Sequence, residues 1–406
     1  MLTRRAALGA TATLATMGVA RSSRAQSQPV IRIGVMNDQS GVYRDVGGLG
    51  SVVCARQAVA EFATQNGLSV EVLSADHQNK PDIGLAIARQ WFDQGVDVVC
   101  DVQGSGIAVA LAKLARERDK IMLACNVATS EVTGKSCSPN TIHFGYDTFM
   151  TANVTGSAVV KQGGDSWFIL FADYAFGKQM KEDLTTVVTR HGGKVLGSLA
   201  VPFPNNDFSS MLVQAQSSGA KIIGLAEAGN DLVNVIKQAA EFGVVQRGQK
   251  LAAFVMFIND VHGLGLHVAQ GLQLTNVYYW DYNDRTRAFA KRVWKAMGDA
   301  PPNMSHASNY SAALHYMRAV KAMGVDEAKK SGAAVVKWMK AHTLDDDVLQ
   351  GASIRVDGRV MSQAFLCEVK KPEESKYPWD YYHVRAVIPP DQAWRSLADG
   401  GCSLAS

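Results

Sequence analysis

The 406-residue chain has no apolar run of the roughly 20 residues needed to span a bilayer, and no CxxC, HExxH or G-x-S-x-G signature. It also has no charge surplus once its first 25 residues are set aside: Arg4, Arg5, Arg21 and Arg24 all fall there, which leaves 37 basic against 37 acidic residues. A neutral chain without a basic stripe lacks the electrostatic footprint of a nucleic-acid binder. The missing signatures argue against a zinc hydrolase, a dithiol oxidoreductase and a serine hydrolase.

Three near-misses fall short on spacing. Gly134-Lys135-Ser136 resembles the end of a phosphate-binding loop, but the glycine required five positions earlier is Thr129, and Pro139 interrupts the helix that should follow. Gly104-Ser105-Gly106 follows a strand-like run as a dinucleotide fingerprint would, yet the third glycine position is Val109. His262 and His267 are five apart, off the i, i+4 face of a helical metal site. A non-enzymatic chain without metal or cofactor is the expectation.

The first 25 residues read as an export signal: Arg4-Arg5, an apolar stretch from Ala6 to Ala20, and Ser23-Arg24-Ala25 ahead of a cleavage point after Ala25. Thr3-Arg4-Arg5 is compatible with twin-arginine export, and Sec export stands equally open. The periplasm is the expected compartment. There, six cysteines allow 15 pairings. Cys54, Cys100 and Cys125 fall in helix or strand runs and read as buried small hydrophobes, whereas Cys137 and Cys402 lie in loop-like segments and form the suggested disulfide.

What the chain does contain is one phrase said eight times: a short apolar strand, a small polar loop, an amphipathic helix. Four copies precede residue 146, with strands Ile31 to Val35, Val70 to Leu73, Val96 to Val102 and Ile121 to Ala124. Four follow, at Trp167 to Phe171, Val195 to Val201, Ile222 to Leu225 and Phe254 to Ile258. Such alternation implies βαβ units, parallel sheets with helices on both faces, and here two α/β lobes, since the mature length exceeds what one core normally supports. Ligands of open parallel sheets gather at the carboxyl ends of the strands. A ligand held between two loop-rich edges follows.

Candidate ligand-binding residues sit at those ends. Ser105, in Gly104-Ser105-Gly106, precedes the helix expected over Ile107 to Asp119, and its hydroxyl either caps that helix or joins free N–H groups in holding an anion. Ala128 and Thr129 end the next strand and either complete that site or form a plain turn. Tyr43 and Arg44 lie in a glycine-rich stretch that reaches over the ligand, with Arg44 suited to a carboxylate or left as a surface arginine. From the second lobe, Asp173, Tyr174 and Phe176 offer an aromatic wall, Glu227, Gly229 and Asn230 face an ammonium, amide or hydroxyl, and Met256-Phe257 add an apolar wall.

The order of Ile33-Gly34-Val35, Ser40-Gly41, Ala128-Thr129-Ser130, Ala172-Asp173-Tyr174-Ala175-Phe176-Gly177, Asp207-Phe208-Ser209 and Ile236-Lys237-Gln238-Ala239 resembles type I periplasmic solute-binding proteins of ABC importers, in the leucine/isoleucine/valine-binding branch. The resemblance implies a two-lobe clamp, with doubly wound parallel sheets joined by three crossovers near His143 to Thr148, Thr275 to Asp281 and Ser353 to Phe365. It divides the chain into a first lobe of residues 29–145 plus 281–352 and a second of 146–276 plus 353–406. It also implies that Ser105 or its neighbours, Ala128 and Thr129 hold a ligand carboxylate, that Tyr174, Phe176 and Glu227 to Asn230 close from lobe two, and that a membrane permease is the partner of a monomer. Tyr278-Tyr279-Trp280-Asp281 and Pro378-Trp379-Asp380-Tyr381-Tyr382 are similar to a subgroup of small organic and aromatic acid binders. Glu227 is displaced from the usual ammonium partner of amino-acid binders, which favours an aromatic acid over a branched-chain amino acid, amide or urea. A ligand-sensing receptor partner uses the same clamp.

Overall fold

The computed structural model describes residues 29–405; the expected export signal lies outside them. Five short strands, β1 (Ile31–Asn37), β2 (Val70–Asp76), β3 (Val98–Asp101), β4 (Ile121–Ala124) and β5 (Thr141–His143), form a parallel sheet in the order β2-β1-β3-β4-β5. Its central strands are buried throughout, as sheets covered on both faces require. The sequence showed four of these; β5 is too short to register as an apolar run.

A second parallel sheet, in the order β7-β6-β8-β9, comprises β6 (Ser166–Ala172), β7 (Lys194–Val201), β8 (Ile222–Ala228) and β9 (Lys250–Val255). Two expected boundaries are corrected here. β9 ends at Val255, and Ile258 opens the helix Ile258–Leu264 rather than closing a strand. β8 runs on to Ala228 and passes directly into the helix Gly229–Glu241, with no intervening loop. Gly229 makes this junction with φ +57°, a left-handed value that costs a residue with a Cβ about 1–2 kcal/mol.

The chain then crosses between lobes. β10 (Gln273–Asn276) packs with the second lobe, after which helix Met304–Met323 lies against helix Gly48–Phe62 of the first. Short strands β11 (Leu344–Asp345), β12 (Gln350–Ile354) and β13 (Val360–Met361) lead back to β14 (Ala364–Val369) and β15 (Tyr382–Ile388), which pair antiparallel beside β10. One hydrophobic cluster runs unbroken from Ile33 and Leu123 through Phe144, Tyr146 and Phe149 to Trp167 and Phe254, so the two lobes share a core along the hinge.

Arg359 ties that hinge. Its side chain is 1% exposed and donates to the carbonyls of His143 and Gly145, pairs with Asp147 at 3.4 Å, and lies 4.1 Å from the Trp394 ring centre. One guanidinium thereby fixes the first crossover, the third crossover and the C-terminal tail. The tail is held again by the Cys137–Cys402 disulfide and by Arg395, which donates to the Ser130 carbonyl at 2.7 Å. Cys54, Cys100 and Cys125 are free and buried.

Candidate functional site

The carboxyl ends of the two sheets face one another across a closed cleft. A cavity of about 20 Å³ remains between them, walled by Tyr43, Val46, Ser105, Ala128 and Tyr146 from the first lobe and hinge, and by Phe176, Ala228 and Val255 from the second. A cavity of about 150 Å³ is the size that admits benzene. A ring-sized ligand therefore enters only when the lobes part.

Closure is made by side chains at the cleft mouth. The hydroxyls of Tyr43 and Tyr174 lie 2.5 Å apart across the lobes, and Phe203 packs on both rings, with centroids 5.6 Å and 4.6 Å away. The backbone N–H of Asn230 donates to the Val42 carbonyl at 3.3 Å. Deeper, the Asn303 amide donates to the Val46 carbonyl and to Asn259 Oδ1, both at 3.0 Å, bridging first lobe to second. At the hinge side, Ser130 donates to Asp183 Oδ2 at 3.0 Å and Thr148 to the same oxygen at 2.6 Å.

The polar groups of the cleft are few and under-used. Helix Ser105–Glu117 begins after Gly104 with no side chain capping it, so Ser105 does not serve as its cap. The Ser105 hydroxyl is buried without a partner beside the free N–H groups of the first turn. From the other lobe, Glu227 is 1% exposed, and its Oε1 is likewise unpartnered. Burial, with Asp231 adding to it, pushes the Glu227 carboxyl well above its usual range and favours the protonated form. Asp231 itself is pushed up to about 6 by burial, against a hydrogen bond from the Asn205 N–H at 2.9 Å. Burial first, and the neighbouring phenol and acids after it, raise the Tyr43 hydroxyl, so the tyrosine pair is neutral. The cleft presents a hydroxyl and helix N–H donors between aromatic walls, and the Glu227 carboxyl is buried next to Ala228 of its lining.

The expected site residues divide accordingly. Tyr43, Ser105, Ala128 and Phe176 line the cavity; Tyr174 and Asn230 make the mouth, and Glu227 stands behind it. Arg44 does not reach in: its side chain is 56% exposed and pairs with Asp45 at 3.5 Å. Asp173 points outward and pairs with Lys178 at 3.0 Å. Thr129 accepts from the Glu131 N–H at 3.2 Å as a turn cap, and Gly106 and Thr129 border an outer groove instead of the cavity. Met256 is buried in the core of the second lobe, and Phe257 packs edge-on to Tyr146 from behind. The shortened β9 is the reason: Val255 takes the cleft-facing place that the longer strand assigned to its successors.

Sequence reasoning missed Val46, Gln103, Asn126 and Tyr146 on the cavity wall, and Phe203 at the mouth. Asn126 stands directly after β4, where its position gave a signal; Oδ1 accepts from Ser305 at 2.9 Å. Gln103 donates to the Tyr43 carbonyl at 3.2 Å and so fixes the loop that carries Tyr43.

The family described as periplasmic binding protein matches residues 30–375. The chain belongs to this family. A periplasmic binding protein from Burkholderia mallei is 44% identical, covering 92% of this chain and 99% of its own, with a TM-score of 0.88. A branched chain amino acid ABC transporter periplasmic ligand-binding protein from Burkholderia xenovorans is 37% identical over 93% of this chain and 100% of its own, at a TM-score of 0.81. A Leu/Ile/Val-binding protein homolog from Brucella melitensis is 24% identical, covering 86% of this chain and 90% of its own length. The same fold, at 20% identity and a TM-score of 0.78, covers 89% of this chain and 97% of a solute binding protein from R. palustris in complex with benzoate. The chain is thus a type I solute-binding protein of the Leu/Ile/Val-binding-like family, whose members act in the periplasm. Among the described residues no helix is long and apolar enough to cross a membrane.

Proposed function

We propose that this protein captures a small carboxylate, an aromatic acid by preference, in the interlobe cleft and delivers it as a monomer to the permease of an ABC importer. The carrying observation is the unpartnered, buried Ser105 hydroxyl at an uncapped helix start, facing walls of Tyr43, Tyr146 and Phe176. A carboxylate on those donors satisfies groups that are otherwise costly to bury, and a flat ring fills the aromatic slot. A solute binding protein of this fold from R. palustris is in complex with benzoate, an aromatic carboxylate. We assign residues 29–145 plus 281–352 to the first lobe and 146–276 plus 353–406 to the second, with closure of one on the other as the whole mechanism.

A branched-chain amino acid is the second reading, favoured by the unpartnered Glu227 oxygen, which would accept from an α-ammonium, and by the relative from Burkholderia xenovorans. Thermal unfolding against a panel of aromatic acids, aliphatic amino acids and amides separates the two. A ligand at about 100 times its Kd stabilises by roughly 2.7 kcal/mol, a shift of a few degrees in a protein of this size. Shifts confined to amino acids overturn the aromatic reading, and a silent panel overturns both.

A further inference from the structure

Beyond the Ser105 wall, outside the closed cavity, lies a groove of about 480 Å³ that no expected role accounts for. It runs along one face of helix Ser105–Glu117, past Gly106, Val109, Lys113 and Arg116, and is closed on its other sides by Lys135 and the start of helix Ala175–Arg190. Three cations line it against one carboxylate, Glu131, whose Oε1 is occupied by the Ser136 hydroxyl at 2.7 Å. Among the described residues Arg116 and Lys135 make no ion pair, and Lys113 meets Glu117 only at 4.0 Å. This concentration of positive charge stands in a chain whose residues 26–406 carry 37 basic and 37 acidic residues in all.

Three further features give the groove a direction. Both helices that border it, one from each lobe, start without a capping side chain, and residues of their first turns, Ser105 and Gly106 on one and Ala175 on the other, line it. Ser105, whose buried hydroxyl has no partner, belongs to the groove and to the cleft cavity alike. At Gly106 a Cβ would find only Pro81 Cγ, at 3.9 Å, so the backbone there lies open to small solutes.

We propose that this groove is an anion-collecting vestibule: Lys113, Arg116 and Lys135 concentrate small carboxylates beside the helix start that the cleft uses to hold them. The inference rests on the carboxylate reading above, but its test needs no ligand. In the exported protein, labelled for NMR, amide relaxation is measured with two nearly isosteric nitroxides, carboxy-PROXYL and carbamoyl-PROXYL, at low salt. The expected result is enhancement at Ser105, Gly106 and Val109 roughly threefold greater from the anionic probe than from the neutral one, the ratio set by a local potential near kT. The ratio should fall toward one in the combined Lys113→Gln, Arg116→Gln, Lys135→Gln variant and rise in Glu131→Gln. A ratio near one in the unmodified protein, or one unmoved by the triple substitution, overturns the vestibule. A silent thermal-shift panel beside an intact ratio would instead remove the ligand reading and leave the anion groove standing.

Discussion

Replacing Gly229 with alanine tests whether the lobes close where the structure puts them. The residue has φ +57°, so alanine there carries a backbone cost of about 1–2 kcal/mol in open and closed forms alike. A Cβ at Gly229 would also lie 2.6 Å from the Val42 carbonyl oxygen and 2.9 Å from Tyr43 Cδ1, both on the opposite lobe. That clash exists only in the closed clamp, and overpacking of this kind costs about 1–3 kcal/mol. Ligand affinity depends on closure, so it should fall by about 5- to 150-fold beyond any change in the stability of the ligand-free protein. Gly192→Ala is the control, because Gly192 has φ +87° but nothing within 4 Å of an added Cβ. Urea unfolding of the free proteins and calorimetric titration with whichever acid shifts the unfolding temperature give the two quantities separately. If Gly229→Ala and Gly192→Ala lower stability alike and neither weakens binding, the lobes do not meet through Gly229 and Val42.

The hydroxyl pair Tyr43 and Tyr174 should show coupling: in a double-mutant cycle of Tyr43→Phe and Tyr174→Phe, the two losses in ligand affinity should fall short of additivity by about 0.5–1.5 kcal/mol. Strict additivity would mean that the 2.5 Å contact does not form on closure. Arg359→Met removes the cation paired with the buried Asp147 carboxylate, which keeps only its hydrogen bond from the Met150 N–H among those described, and the donor to two hinge carbonyls, and should lower unfolding free energy by about 3–5 kcal/mol; a loss under about 1 kcal/mol would remove Arg359 as the hinge tie. Asp260, which accepts from the Phe257 N–H at 2.8 Å, has its pKa pushed up by burial from 3.8 to about 7. A raised folded pKa stabilises fully below the unfolded value and loses that contribution as pH rises through about 7, so the native protein should gain on Asp260→Asn by at most about 4 kcal/mol between pH 8 and pH 4. A pH-independent difference between the two unfolding curves would show that Asp260 is not held neutral.

The lobes were legible because a parallel sheet covered on both faces writes itself as continuous apolar runs, and Ile121–Ala124 emerged with the ends its sequence shows. The errors lie where strand meets helix. Continuous apolar runs carry no phase, so nothing in Phe254-Val255-Met256-Phe257-Ile258 says that the strand stops at Val255, and the cleft-facing role passed to Val255 from Met256 and Phe257. At Gly229 the sequence reads as a loop because glycine beside asparagine usually is one; here glycine serves a strand-to-helix junction pressed against the other lobe.

Ser105 erred in a more useful direction. Its type and position suit a helix cap, yet Gly104 holds the cap position with φ +100° and the hydroxyl is left buried and unpaired. Capping would have satisfied the serine locally and closed the helix start to anything else. The residue departs from its local rule at the wall shared by cavity and groove, and such departures are expected where a ligand, rather than the fold, supplies the missing partner. Arg44 shows the converse: a good carboxylate ligand by type, it is claimed by Asp45 and solvent because the loop through Tyr43, fixed by Gln103, turns the aromatic ring inward and the next side chain out. Residue type narrowed the candidates, and loop direction, which only the tertiary contacts define, decided among them.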